Sequence, residues 1–264
     1  MHISVSALLG FLLGVFLFIS AIILNTNNLL MFFSLSSFLM VVGGTLASAM
    51  ISYEGRNVLL AIKEIGYALV ASKVNPVTFY KDVGTLIDWS QIARQEGVIK
   101  LEQAISIPSG ELNFLKQSYT YLVNGYSGNK LKSLMLHQQQ YIYERNMVQA
   151  KVLLTMASAA PAFGMVGTLV GLIIMLNHME GDYSQMGSGL AIALLTTLYG
   201  VLLAQIVLKP AARKVEQKQD LEFYRNQILI EGLTLLSEGA SPFVIEDAMN
   251  AYIEPKYQFS RTKR

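Results

Sequence analysis

Cysteine is absent from this 264-residue sequence, which removes disulfides, thiolate metal sites and cysteine nucleophiles together. Histidine is scarce, and His2, His137 and His178 lie far apart with no ligand-type spacing. Charge is thin: 14% of residues against 53% hydrophobic, with mean hydropathy +0.43, too apolar for a soluble domain of this size. A formal net charge of +2 gives nucleic acid nothing to bind. No phosphate loop, GxSxG or HExxH motif occurs. Asp82/Asp88 and Glu96/Glu102 are the carboxylate pairs one could draw, and on amphipathic helices they read as a solvated face. The sequence points to no enzyme and to no cofactor.

Charge vanishes altogether from four long runs, roughly Val5–Leu24, Leu29–Ile51, Val152–Leu176 and Gly189–Leu208. A helix rises about 1.5 Å per residue, so about 20 apolar residues cross a hydrocarbon core of about 30 Å. Threading the chain through four times leaves only Asn25–Asn28 and the loop Met179–Ser188 on one side. Neither holds a basic residue; all 20 Lys and Arg fall in Arg56–Lys151 and Lys209–Arg264. The positive-inside bias makes that second side cytoplasmic, together with both termini. The expected fold is all-α: a polytopic inner-membrane protein with four transmembrane helices and a helical cytoplasmic domain. The N-terminus has no basic leader and no persuasive small-residue cleavage site, and reads as a retained first helix.

The expected organisation follows the runs. Residues 1–51 form a two-helix hairpin turning at Asn25–Asn28, and 52–151 form a cytoplasmic helical segment. Residues 152–208 hold the third and fourth spans, and 209–264 the C-terminal cytoplasmic helices. Asn75-Pro76 is a helix start, and that helix runs to about Gln95 with Gly97 as its stop. Pro108-Ser109-Gly110 and Gly125–Asn129 are breaks. From Lys130 the pattern runs on into the third span, predicting one long helix that leaves the membrane. Pro210 is expected to kink the chain where the fourth span ends. Leu221, Tyr224, Ile228 and Leu235 then recur at helical spacing, up to Gly239, and Ser241-Pro242 opens a last short helix.

Within the spans, Gly164, Gly167 and Gly171 share one helix face and admit a close backbone, either a partner's helix or another helix of this chain. Pro161 removes a backbone hydrogen bond within the third span. Thr168 and Thr197 can face a common space if the third and fourth spans are antiparallel neighbours. Their hydroxyls can meet a cation or a water file, or bond back to their own helices. Tyr199 lies about 200° around the helix from Thr197. No ionisable residue occurs inside the runs, although ion pathways normally need one. If this chain conducts ions, another chain supplies the acid.

These residues carry a resemblance. Ala160-Pro161-Ala162-Phe163-Gly164-Met165-Val166-Gly167-Thr168-Leu169-Val170-Gly171-Leu172 resembles the third-helix signature of MotA/PomA flagellar stator proteins. Ala193-Leu194-Leu195-Thr196-Thr197-Leu198-Tyr199-Gly200, with Ala204 and Pro210, resembles their fourth helix, and Val41-Val42-Gly43-Gly44-Thr45 their second. Ala93-Arg94-Gln95-Glu96-Gly97 and Leu101-Glu102 resemble their torque-generating loop. Gln205 departs from the usual Asn and retains the amide in a longer form. The resemblance implies a homopentamer around a MotB/PomB-type dimer, whose single helices supply a membrane Asp and whose other domain binds peptidoglycan. It implies Na+ or H+ as the transported ion, with Thr168 and Thr197 beside that Asp and Ser158 and Tyr199 as further hydroxyls of the path. It assigns Arg94, Glu96 and Glu102 to contact with the rotor protein FliG, Pro161 and Pro210 to conformational coupling, and Gly164, Gly167 and Gly171 to packing against the partner's helix. The hydroxyls permit sodium without requiring it.

Three other readings compete. An ExbB/TolQ-type energiser of envelope transport is a similar ring, expected to have three spans with its N-terminus outside. A structural scaffold would hold a partner without conducting. A solute transporter would show an inverted repeat or a broken helix pair, and neither is visible.

Overall fold

The computed structural model describes residues 5–26, 28–67, 74, 76–97, 101, 113–178 and 183–260, and regular structure among them is helical throughout. The helices are α1 (Val5–Asn25), α2 (Leu35–Ser52), α3 (Gly55–Tyr67), α4 (Pro76–Glu96), α5 (Asn113–Val123), α6 (Gly128–Asn177), α7 (Tyr183–Leu202), α8 (Lys209–Ser237) and α9 (Pro242–Asn250). Among the described residues, four helices are long and apolar enough to cross a membrane. The fold is all-α with four membrane-spanning helices and a helical soluble part. Contacts divide the chain into two compact units, Met1–Ala71 with Met147–Gln217, and Ser72–Asn146 with Lys218–Arg264.

In the first unit, α2 turns a stripe of small side chains inward: Ser37, Val41, Thr45 and Ala49 are buried at four-residue intervals. Ser37 Oγ donates to the Ile192 carbonyl of α7 at 3.5 Å, and Gly44 faces the Phe163 ring of α6 with no room for a Cβ. Large residues such as Leu39 and Phe38 point outward, as lipid-facing positions should. A core of Ala150, Leu153, Ala157, Ala160, Ala204, Leu208 and Ala212 joins α6 to the segment that follows α7 and to the start of α8.

The second apolar run does not begin as the helix its composition predicts. Leu29–Phe32 form a 3₁₀ turn, Phe33 and Ser34 are extended, and α2 starts only at Leu35. Local side chains break the run: Asn28 Oδ1 accepts from the Leu30 N–H at 3.2 Å, and Ser34 Oγ caps α2 from the Ser37 N–H at 3.3 Å.

Ahead of Pro210 the backbone takes a wide turn. Leu203–Leu208 form a π segment, and the Lys209 N–H reaches back five residues to the Ala204 carbonyl. Pro210 has no N–H to give and its ring crowds the carbonyl four residues earlier, so widening the preceding turn relieves both problems. Gly200, Ala204, Leu208, Ala211 and Ala212 are all buried along this stretch.

The second unit packs α4, α5, α8 and α9 around Val83, Leu86, Phe114, Leu122, Ile228, Leu233 and Met249. The single tryptophan, Trp89, sits in this core with its ring 5.6 Å from that of Tyr119. Of the predicted stripe on α8, Ile228 lies in the core and Leu235 packs against it, while Tyr224 is exposed and bonds the Tyr252 carbonyl. Asp82 on α4 and Arg225 on α8 form a two-pronged pair at 2.5 and 2.6 Å, with side chains 9% and 12% exposed. Gly97 ends α4 at φ +85°, a conformation disfavoured for any residue with a Cβ. The break predicted at Pro108-Ser109-Gly110 lies outside the described residues, whereas that at Gly125–Asn129 separates α5 from α6.

Candidate functional site

The third and fourth spans meet along a seam with almost no side chain in it. A Cβ on Gly164 would stand 3.0 Å from the Thr196 carbonyl oxygen, and one on Gly171 would stand 2.6 Å from Ala193 N and from Gly189 O. A Cβ on Gly167 would strike the Thr196 side chain at 2.5 Å. The opposite wall answers in kind: a Cβ on Gly189 would stand 2.7 Å from Met175 N, and one on Gly200 would stand 2.6 Å from Ala160 O. The pairing of 160 with 200, 164 with 196, 171 with 193 and 175 with 189 runs antiparallel. The face that Gly164, Gly167 and Gly171 offer a partner's helix is therefore taken by the chain's own α7. Dispersion between closely approaching backbones favours this nearest partner, which the short connection makes available.

Antiparallel packing brings two of the predicted hydroxyls together. Thr168 Oγ1 lies 2.5 Å from Thr197 Oγ1, 3.1 Å from the Gly164 carbonyl and 3.1 Å from the Ala193 carbonyl. A hydroxyl has one proton and two acceptor lone pairs. If Thr168 donates to a carbonyl, Thr197 donates to Thr168, and its lone pairs stay free. If Thr168 donates to Thr197, the latter turns its proton toward the Ala193 carbonyl at 3.4 Å. Either way the pair has no spare proton, but it does have oxygen lone pairs. Thr197 is exposed and Thr168 half-buried, so those lone pairs lie at the chain's surface. Such oxygens can accept a hydrogen bond or help ligate a hard cation. They cannot carry the compensating charge.

Ser158 and Tyr199 do not join this pair. Ser158 is exposed and its Oγ donates to the Thr155 carbonyl at 2.8 Å, back on its own helix. The Tyr199 hydroxyl donates to the Phe32 carbonyl and accepts from the Ser34 N–H at 3.0 Å. It ties α7 to the turn ahead of α2. Thr196, unremarked as a site residue in the sequence, is fully buried and bonds the Ala193 carbonyl at 2.9 Å, so its methyl fills the space beside Gly167. Gly189 and Gly200 belong to the seam as much as the predicted three. Their spacing from Ala193 and Thr196 was visible, but its meaning required the antiparallel register.

Pro161 lies inside α6 without ending it, and its Cα would be 3.2 Å from a Cβ on Gly200. Pro210 stands in the first turn of α8 behind the wide segment that holds Gln205. Arg94 is exposed in the last turn of α4, and Glu96 closes that helix. Glu102 lies outside the described residues. Among the described residues no cluster of three or more histidine, aspartate or glutamate side chains could hold a metal ion.

Four helices of membrane length, two of them packed along a glycine-lined seam that carries a surface-facing hydroxyl pair, define a helical membrane protein. Residues 107–228 match the family model described as the MotA/TolQ/ExbB proton channel family. An uncharacterized protein of Bacillus subtilis, YtxD, is 32% identical over 91% of this chain and 87% of its own length. Motility protein A of Aquifex aeolicus is 30% identical over 92% of this chain and 94% of its own. The structure of C. jejuni MotAB superimposes with TM-score 0.84 at 26% identity, covering 98% of this chain and 99% of that one. The chain belongs to the MotA/TolQ/ExbB family and, within it, has the general stator function of the MotA/PomA type.

Proposed function

We propose that this chain forms a homopentameric ring around the membrane helices of a MotB/PomB-type dimer, and that the assembly conducts Na+ or H+ to drive a flagellar rotor. The observation that carries the reading is the surface-facing Thr168–Thr197 pair in spans that contain no acid. Its lone pairs suit a cation passing beside a carboxylate contributed by the partner. In this reading both termini and the segments 52–151 and 209–264 are cytoplasmic, and the membrane is the bacterial inner membrane. Ion arrival neutralises the partner's carboxylate, the ring steps to the next equivalent position, and Arg94, Glu96 and Glu102 push the rotor protein FliG tangentially. Pro161 and Pro210, each at a point where helical hydrogen bonding is interrupted, pass the strain along. One elementary charge falling through 100 mV supplies about 2.3 kcal/mol for a step.

Deleting the gene should leave normal filaments on paralysed cells. Restoring it as Thr197→Leu, which blocks the hydroxyl pair, should insert normally and fail to restore swimming. Arg94→Glu should fail likewise, with partial rescue by a compensating charge on the rotor. Unchanged swimming with Thr197→Leu would refute the pathway, and unchanged swimming with Arg94→Glu would refute the rotor contact.

A further inference from the structure

Helix α3 begins only two residues after the membrane span α2 ends, with Tyr53 and Glu54 between them. The join is pinned to the span-bearing unit: the Tyr53 hydroxyl and Thr155 Oγ1 on α6 are 3.2 Å apart. One face of α3 is closed. Val58 and Ala61 are fully buried and Ile65 packs against the same cluster. The opposite face carries Arg56, Leu59, Leu60, Lys63 and Tyr67, at spacings of 3, 1, 3 and 4 that keep all five on one side of a helix. All five are exposed, with Leu59 at 59%, Leu60 at 37% and Tyr67 at 53%.

That composition suits neither water nor a hydrocarbon interior. Two leucines and a tyrosine in a row would be left wet by water, and two cations would be stranded in hydrocarbon. It matches the boundary between them: leucines reach the acyl chains, tyrosine sits at headgroup level, and Arg and Lys extend along their own stems toward phosphate. Glu64, the acid of this helix, is half-buried and lies off the stripe.

We infer that the outward face of α3 lies in the headgroup layer of the bilayer and that Arg56 and Lys63 bind the phosphates of anionic phospholipids. This rests on the reading of α1 and α2 as a membrane-spanning pair and on nothing concerning torque. The stator unit then senses lipid charge through a helix that is covalently continuous with one of its spans.

The absence of native cysteine makes the test direct. A spin label on Leu59→Cys in the full complex, placed in nanodiscs, reports its depth through collisions with oxygen and with a nickel chelate. Labels on Leu9→Cys in α1 and Gln227→Cys in α8 supply the acyl and aqueous references. The Leu59 label is expected to lie between them, and to sit deeper as phosphatidylglycerol is added to phosphatidylcholine. Each basic residue near an anionic surface is worth about fivefold, so Arg56→Gln/Lys63→Gln should need about 25-fold more phosphatidylglycerol for the same shift. A Leu59 label as open to nickel as Gln227, or one with no response to lipid charge, overturns the inference. So does a label shielded from both probes, which would mean that protein, such as a second copy of this chain, covers the face. A Leu9 label found in water would instead overturn the spanning reading itself.

Discussion

Replacing Gly171 with alanine is expected to loosen the seam between α6 and α7 by about 1–3 kcal/mol. The added Cβ would stand 2.6 Å from both Ala193 N and Gly189 O, and 2.8 Å from Ala193 Cβ, where ordinary contact begins near 3.4 Å. The helices would have to part by about 0.8 Å over at least one turn, and two of the three obstacles are backbone atoms that cannot swing aside. A gap of that size forfeits about a quarter to a half of the dispersion attraction of each neighbouring pair. It would also stretch the Thr168–Thr197 contact, which is one turn away. Gly43→Ala is the matched control, since a Cβ there meets nothing within 4 Å; it should be neutral or slightly stabilising. The assay is unfolding by sodium dodecyl sulfate in mixed micelles, followed by energy transfer between dyes on Leu176→Cys and Leu190→Cys. The expected loss is about 5- to 150-fold in the unfolding equilibrium for Gly171→Ala. If Gly171→Ala and Gly43→Ala behave alike, the seam is not limited by backbone approach.

Asp82→Asn should destabilise the second unit by about 3–5 kcal/mol, because it leaves the Arg225 charge largely buried without its partner. Fluorescence of Trp89, in the same core, follows that transition, and an unshifted midpoint would show that the pair contributes nothing. Tyr199→Phe should cost about 1–3 kcal/mol in the micelle assay by leaving the Phe32 carbonyl and the Ser34 N–H without their hydroxyl partner. Loss of swimming without loss of stability would instead favour the proposed ion-path role for Tyr199. Gly97→Ala should destabilise the end of α4 by about 1–2 kcal/mol through its left-handed backbone, read as faster amide exchange confined to the last turn of that helix.

Much of this molecule could be read in advance because its solvent imposes simple rules. Uncharged runs of membrane length mark spans wherever they occur; Pro76 opens α4 and Gly97 ends it, as local backbone chemistry predicts, while the Asn75 cap lies outside the described residues. Gly164, Gly167 and Gly171 announced a close approach, but a face without side chains fits any backbone, so their neighbour could not be named. Only the register that sets Gly189 and Gly200 against Met175 and Ala160 identifies α7. The partners of Tyr199 were not legible for a related reason: they lie at a turn hidden within an apolar run. The cluster Ser34, Ser36 and Ser37 was the available sign of that turn. Thr168 and Thr197 could be paired from sequence because the geometry needed only antiparallel neighbours.

The wide turn at Leu203–Leu208 can also be considered in terms of chain length. A π segment behaves as an α-helix that has absorbed one additional residue without rotating what lies on either side. The chain thus carries a spare residue between the seam and Pro210. Removing one residue inside the segment should relax it to an ordinary helix with both flanking faces still in place, whereas the same deletion in Tyr183–Leu202 would turn every later side chain by about 100°. Tolerance to insertion and deletion, usually a property of loops, is here located within a continuous helix.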